Sequence, residues 1–258
     1  MAGTGNDFIV FDNRETRFSG QESDFFAGIC QRRVSVGADG VILVEIGASA
    51  PVRMRYFNKD GFESTMCGNG ARCTAYFARE KGFVSEDDFV LEAPDGLHRV
   101  RVADTSVTLA MTQPHGFRSG YGIVKETVLT EGGFIDTGVP HYVLFAEDVG
   151  TLDVEGMGPF YRNHPVFPDG TNVNFVQVLG ENRIRVRTFE RGVEEETLSC
   201  GTGCVASALL TSKQAGYTSP ITVLTKGGEL SVGFDGTWQE VSLTGQVQIV
   251  FEAVLNVP

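Results

Sequence analysis

Apolar residues occur along this chain in short runs that alternate with polar positions and are broken by Gly, Asn and Asp. Runs of this kind, rich in Val, Ile, Thr and Phe, predict strands of an antiparallel or mixed sheet. They fall over 7–11, 40–44, 54–58, 91–97 and 107–109, and again over 142–146, 174–178, 187–190, 224–230 and 241–243. The second set follows the first in the same order at a nearly constant offset near 133 residues. One such match means little, but five in order predict a duplicated domain. Helical patterning is sparse. It covers 71–81 and 205–214, with shorter stretches at 21–33 and 159–163. The expected architecture is α+β: two pseudo-symmetric duplicated domains, each a β-barrel-like sheet wrapped round a central helix. The segment 112–134 carries five glycines and a proline and reads as the crossover loop. The expected halves are residues 1–115, with Cys67, and 116–258, with Cys200.

Composition narrows the class. A chain of 258 residues can bury a sizeable core. It has no apolar run long enough to span a membrane. No basic and apolar leader opens it, so the expectation is a cytoplasmic protein. The net charge of −12 argues against nucleic acid as a partner, because phosphate binding needs clustered Lys and Arg. Five cysteines are an odd number in a long chain, which fits reduced thiols better than a disulfide framework.

Two of those cysteines open near-identical stretches, Cys67-Gly68-Asn69-Gly70 and Cys200-Gly201-Thr202-Gly203. They lie 133 residues apart (200 − 67), and each precedes a predicted central helix. A helix N-terminus has unpaired N–H groups and a positive dipole end. A thiol placed there is expected to have a lowered pKa, and the N–H groups can hold a carboxylate. Glycines let the backbone approach a ligand closely. Two such starts facing one carboxylate would aim two sulfurs at the attached carbon, a geometry for removing a proton from one face and returning it to the other. No pyridoxal-phosphate lysine site is evident, so the expected chemistry needs no cofactor. The spacings Cys67/Cys73 and Cys200/Cys204 are unequal and differ from zinc-ribbon spacing, so no metal is expected. Cys30, Cys73 and Cys204 read as small core residues. His98, His115 and His164 have no functional case.

The motifs Gly5-Asn6-Asp7-Phe8, Phe57-Asn58-x-Asp60-Gly61, Cys67-Gly68-Asn69-Gly70-x-Arg72-Cys73, Pro140-His141, Asn172-Val173-Asn174-Phe175, Arg187-Thr188-Phe189-Glu190-Arg191-Gly192-Val193 and Glu196-Thr197-Leu198-x-Cys200-Gly201-Thr202-Gly203 together resemble the diaminopimelate epimerases. The Cys-Gly-Asn-Gly turn alone is similar to that of other cofactor-independent racemases, such as proline racemase. The resemblance implies conversion of LL-2,6-diaminopimelate to the meso form, in lysine and peptidoglycan-precursor synthesis. It implies Cys67 and Cys200 as the acid/base pair, with His141 and Glu190 tuning them. The N–H groups of Gly68, Asn69, Gly201 and Thr202 would hold the carboxylate at the reacting centre. Arg191, with Asn58 and Asn174, would hold the distal carboxylate and ammonium; a bidentate guanidinium suits that carboxylate. Asn6 and Glu190 match further substrate contacts. A homodimer is a family-level expectation.

The chain departs from the family pattern in places. Val139 and Gly40 stand where many members carry Asn and Gln, which bears on selectivity. One extra residue lies between Glu190 and Cys200, and the chain begins closer to Gly5-Asn6-Asp7-Phe8 than members usually do. Two alternatives stay open on the residues alone: a racemase of another amino acid on the same scaffold, and a non-catalytic amino-acid- or metal-binding module.

Overall fold

The computed structural model describes residues 1–64, 66–125 and 128–255, and the side chains of all of these except 124, 125 and 128–131. The chain divides into two compact units, Met1–Leu109 with Gly245–Pro258, and Ala110–Thr244.

The first unit contains β1 (Ala2–Gly3), β2 (Asn6–Asp12), α1 (Ser23–Cys30), β3 (Gly40–Glu45), β4 (Val52–Asn58), β5 (Glu63–Ser64), α2 (Gly68–Glu80), β6 (Asp88–Ala93), β7 (Gly96–Ala103) and β8 (Ser106–Ala110). Strands β2 and β3 are parallel, β3 and β4 antiparallel, and β4 pairs antiparallel with β5 and parallel with β6. Hairpins join β6, β7 and β8. Helix α2 packs against β1, β2, β3, β4, β6 and β7 and is therefore enclosed by its own sheet. Many of its inward positions are small residues, among them Gly70, Ala71, Cys73, Ala75 and Ala78, which let strands approach on several sides.

The second unit opens with two strands, β9 (His115–Lys125) and β10 (Val128–Asp136), and continues with β11 (Pro140–Phe145), α3 (Val154–Arg162), β12 (Asn172–Gly180), β13 (Arg183–Phe189), β14 (Glu196–Thr197), α4 (Gly201–Ala215), β15 (Ile221–Thr225), β16 (Gly228–Phe234) and the first half of β17 (Val241–Gln248), which from Gly245 onward belongs to the first unit. The pairing plan repeats: β11 and β12 parallel, β12 and β13 antiparallel, β13 antiparallel with β14 and parallel with β15. Helix α4 is ringed by β10, β11, β12, β13, β15 and β16. Each expected barrel-like sheet around a central helix is thus present.

Two local expectations are corrected. The segment read as a crossover loop, 112–134, contains most of β9 and β10, which pair antiparallel; residues 126 and 127 of it lie outside the described residues. Two of its glycines serve packing. A Cβ at Gly133 would lie 2.0 Å from Leu210 Cδ2, and one at Gly132 would lie 2.6 Å from the Val143 carbonyl. The short helix expected at 159–163 is longer, because Asp153 caps it by accepting from the Gly156 N–H at 3.0 Å. Among the described residues no helix is long and apolar enough to cross a membrane.

Candidate active site

Cys67 is the N-cap of α2, with extended backbone (φ −136°, ψ 113°), and its sulfur accepts from the Gly70 N–H at 3.5 Å. The N–H groups of Gly68 and Asn69 belong to the first turn, where the helix supplies no acceptor. A buried chain of polar side chains braces this turn. Arg72, fully buried, donates to Asn69 Oδ1 at 2.7 Å and to the Thr4 hydroxyl at 3.1 Å. Asn69 Nδ2 donates to Asn6 Oδ1 at 2.7 Å. Asn6 Nδ2 donates in turn to Asp39 at 2.9 Å. Asn6 and Asn69 are thereby tied together, while Asn58 stands exposed at the end of β4.

Cys200 is the N-cap of α4, also extended (φ −117°, ψ 112°), with the Thr202 hydroxyl 3.5 Å from its sulfur. Gly201 and Thr202 lie in the first turn. The expected lowering of the thiol pKa is not found here. Burial and the neighbouring Glu190 push Cys200 well above its ordinary value, outweighing the helix N-terminus and Thr202. Burial also raises Glu190, opposed by its contacts with Thr197 and Cys200. The two form a buried thiol–carboxyl pair in which both groups hold their protons more tightly. The remaining thiols are buried. Burial lifts Cys30 to about 11 and Cys73 to about 12. All five cysteines are thiols outside any disulfide.

His141, on β11, is fully buried. Its Nδ1 meets Asn174 Nδ2 at 3.0 Å. The same amide nitrogen donates to the Tyr142 carbonyl at 3.3 Å, and Asn174 Oδ1 accepts from the Thr188 hydroxyl at 2.9 Å. Burial, then the Arg191 cation, lowers His141 to about 3, so it is neutral. Asn174 thus faces inward with its amide engaged on three sides, rather than outward toward a ligand.

Arg191 follows Glu190 in the turn after β13. Its N–H donates to Asn172 Oδ1 at 2.9 Å and its Nη1 to the Asp169 carbonyl at 2.9 Å. It lines a cavity of about 340 Å³ with Arg118, Asp136, Pro140, Phe167 and Asp169. Sequence reasoning passed over Thr188, Asn172, Arg72 and Asp39. Thr188, Asn172 and Arg72 could have been marked only by their places inside the quoted motifs, and Asp39 lies in none of them.

The acidic residues four positions before each cysteine have a shared structural duty. Glu63 pairs with Arg55 at 2.7 Å, and Glu196 pairs with Arg187 at 2.6 Å, tying each two-residue strand to its neighbour. At Gly40 a Cβ would lie 2.4 Å from the Phe57 carbonyl and 2.6 Å from the Tyr56 ring. Any side chain there would collide with the Phe57 carbonyl and the Tyr56 ring.

The family model for diaminopimelate epimerase matches residues 1–115 and 133–250. A diaminopimelate epimerase of Chlorobaculum tepidum is 41% identical over 99% of this chain and 100% of its own length. One from Aquifex aeolicus is 39% identical over 99% and 96%. Among solved structures, a Bacillus anthracis phenazine biosynthesis protein of the PhzF family superposes with TM-score 0.70 at 16% identity, covering 95% of this chain and 92% of that one. A probable proline racemase from Agrobacterium radiobacter gives TM-score 0.62 at 18% identity, over 88% and 80%. At these identities the solved structures speak to the fold alone.

Proposed function

The chain belongs to the diaminopimelate epimerase family, and from that premise we propose that its two helix-capping thiols, Cys67 and Cys200, are the acid and base that invert one α-carbon of diaminopimelate. The enzyme is an isomerase of lysine biosynthesis. Inversion without a cofactor requires a base on one face of the carbon and an acid on the other. The observation that carries the assignment is that each unit places one thiol at the N-cap of its enclosed helix. In one direction the Cys67 thiolate takes the α-proton and the Cys200 thiol delivers its own to the opposite face; the reverse reaction exchanges the roles. Each sulfur loses or gains one proton per turnover. The carbanion's charge moves onto the adjacent carboxylate, which the first-turn N–H groups of Gly68, Asn69, Gly201 and Thr202 are proposed to stabilise.

Cys200 rests as a thiol because burial and Glu190 raise it, which suits the role of acid. When it must act as base, Glu190 accepts the proton. Arg191 is proposed to hold the distal carboxylate, helped by Asn58 at the end of β4, with Asn6 bracing the Cys67 turn. Five cysteines kept as thiols fit a cytoplasmic enzyme. A homodimer remains a proposal for sedimentation analysis.

The test is incubation with LL-diaminopimelate in deuterated water, under reducing conditions and without added cofactor. Solvent deuterium at one α-carbon and appearance of the meso isomer are expected. Cys67→Ser and Cys200→Ser should each lower kcat by about 10³-fold or more. Undiminished turnover in either variant would remove that thiol from the mechanism.

A further inference from the structure

The two units follow one strand plan, so their equivalent positions can be compared through the register. In the second unit His141 pairs with Asn172, and Asn174 lies between Val143 and Thr188 on its two neighbours. In the first unit Phe8 pairs with Gly40, and Ile42 lies between Val10 and Tyr56. His141, Asn174 and Thr188 therefore occupy the places of Phe8, Ile42 and Tyr56. The first unit fills these places with packing: Phe8 and Tyr56 meet edge-on at 5.8 Å, and Ile42 is fully buried. The second unit fills them with a hydrogen-bonded polar set that is at most 3% exposed. The fold does not require that set, because the other copy of the same plan is made without it.

The polar set also has only one consistent arrangement of protons. The Tyr142 carbonyl can only accept, so the Asn174 atom beside it is the NH2 group. Flipping the amide would set the Asn174 and Tyr142 oxygens against each other, whereas the Thr188 hydroxyl can donate or accept and so follows the amide. The second hydrogen of that NH2 points to His141 Nδ1, which must then accept. A neutral imidazole accepting at Nδ1 carries its proton on Nε2. Among the described residues Nε2 is buried and meets no acceptor. The network also packs closely against the first turn of α4: a Cβ on Gly203 would lie 2.3 Å from Asn174 Oδ1.

We propose that Asn174 and Thr188 are positioning residues for the epimerisation, holding His141 as the neutral tautomer that offers Nε2–H as a hydrogen-bond donor. This rests on the reading above in which His141 serves the reaction. Asn174 then touches no substrate. Thr188 acts through Asn174, and Asn174 through the imidazole.

The test uses full-length enzyme with histidine 15N-labelled at the ring nitrogens. The wild-type His141 signal should show a bare Nδ1 and a protonated Nε2. Thr188→Val, nearly the same shape, should lower kcat about tenfold or more while KM for diaminopimelate stays within about twofold. Thr188→Ser should restore kcat. Asn174→Asp places an acceptor against Nδ1 and should draw the proton onto it, changing the 15N signature with a loss of kcat. Circular dichroism verifies that each variant is folded. A wild-type Nδ1–H tautomer would overturn the proposal, as would a raised KM with unchanged kcat and unchanged 15N signature, which would make Asn174 a substrate contact. A changed tautomer with an undiminished rate would overturn instead the role of His141 on which it rests.

Discussion

At the scale of single residues, burial decides the chemistry more than the helix ends do. Cys200 sits at the positive end of α4, yet burial and Glu190 keep it a thiol. Glu190→Gln removes the negative charge and the proton acceptor together. It should lower kcat by about 10²-fold or more, with Cys200 ionising at lower pH; a pH–rate profile unchanged from wild type would show that the pair is not coupled. His141 gives a stability prediction whose sign is fixed. Its folded pKa is about 3 against an ordinary 6.5. Between those values the unfolded chain binds a proton that the folded chain refuses. Stability therefore falls as pH drops through this window, at a full slope of about 1.4 kcal/mol per pH unit. Denaturant melts should show His141→Gln losing less stability than wild type on acidification, and equal slopes would mean that the imidazole is not held neutral. Thiol placement was legible in the sequence because Cys-Gly-x-Gly marks a helix start. The raised thiol was not, because burial belongs to the tertiary structure.

At the scale of elements, the glycines of the two helix starts have different reasons than closeness to a ligand alone. The sequence pattern placed the helices at 71 and 205, but they begin at Gly68 and Gly201. Glycine weakens a helical reading, and here it is demanded by crowding. At Gly203 a Cβ would meet Asn174 Oδ1 at 2.3 Å, and Asn174 cannot retreat while bonded on three sides. At Gly70 a Cβ would meet Ile42 Cδ1 at 3.3 Å, the end of a side chain that can shift. Gly203→Ala should therefore destabilise by about 1–3 kcal/mol and disturb His141, while Gly70→Ala is the milder change. Thermal melts and kcat for the two variants compare them directly; equal losses would leave the Asn174 contact without a special role.

At the scale of the whole molecule, the internal repeat carried most of what could be read beforehand. Equivalent cysteines, strands and helices recur because each unit encloses its own helix in the same strand plan. The paired strands over 115–136 read as a loop because of their glycines, of which Gly132 and Gly133 serve close packing. The asymmetry between the units was half legible: Glu190-Arg191 against Asn58 stands in the sequence, but the exchange of Phe8, Ile42 and Tyr56 for His141, Asn174 and Thr188 needs the register to be seen. It also shows which features are dispensable for folding. The first unit proves that an apolar set packs against a Cys-Gly-x-Gly helix start. Tyr56 is accommodated because Gly40 leaves room for its ring, whereas Asn172 occupies the corresponding place in the second unit, so a tyrosine would not fit at Thr188. The triple variant His141→Phe, Asn174→Ile, Thr188→Val respects that limit. Replacing the buried polar network as a set removes its side-chain donors and acceptors together and costs only the long Asn174 bond to the Tyr142 carbonyl, so the protein should fold with near wild-type stability. Its deuterium exchange into diaminopimelate should nevertheless collapse. A stable triple variant that still turns over at the wild-type rate would show that the polar set is a packing alternative without a part in the reaction.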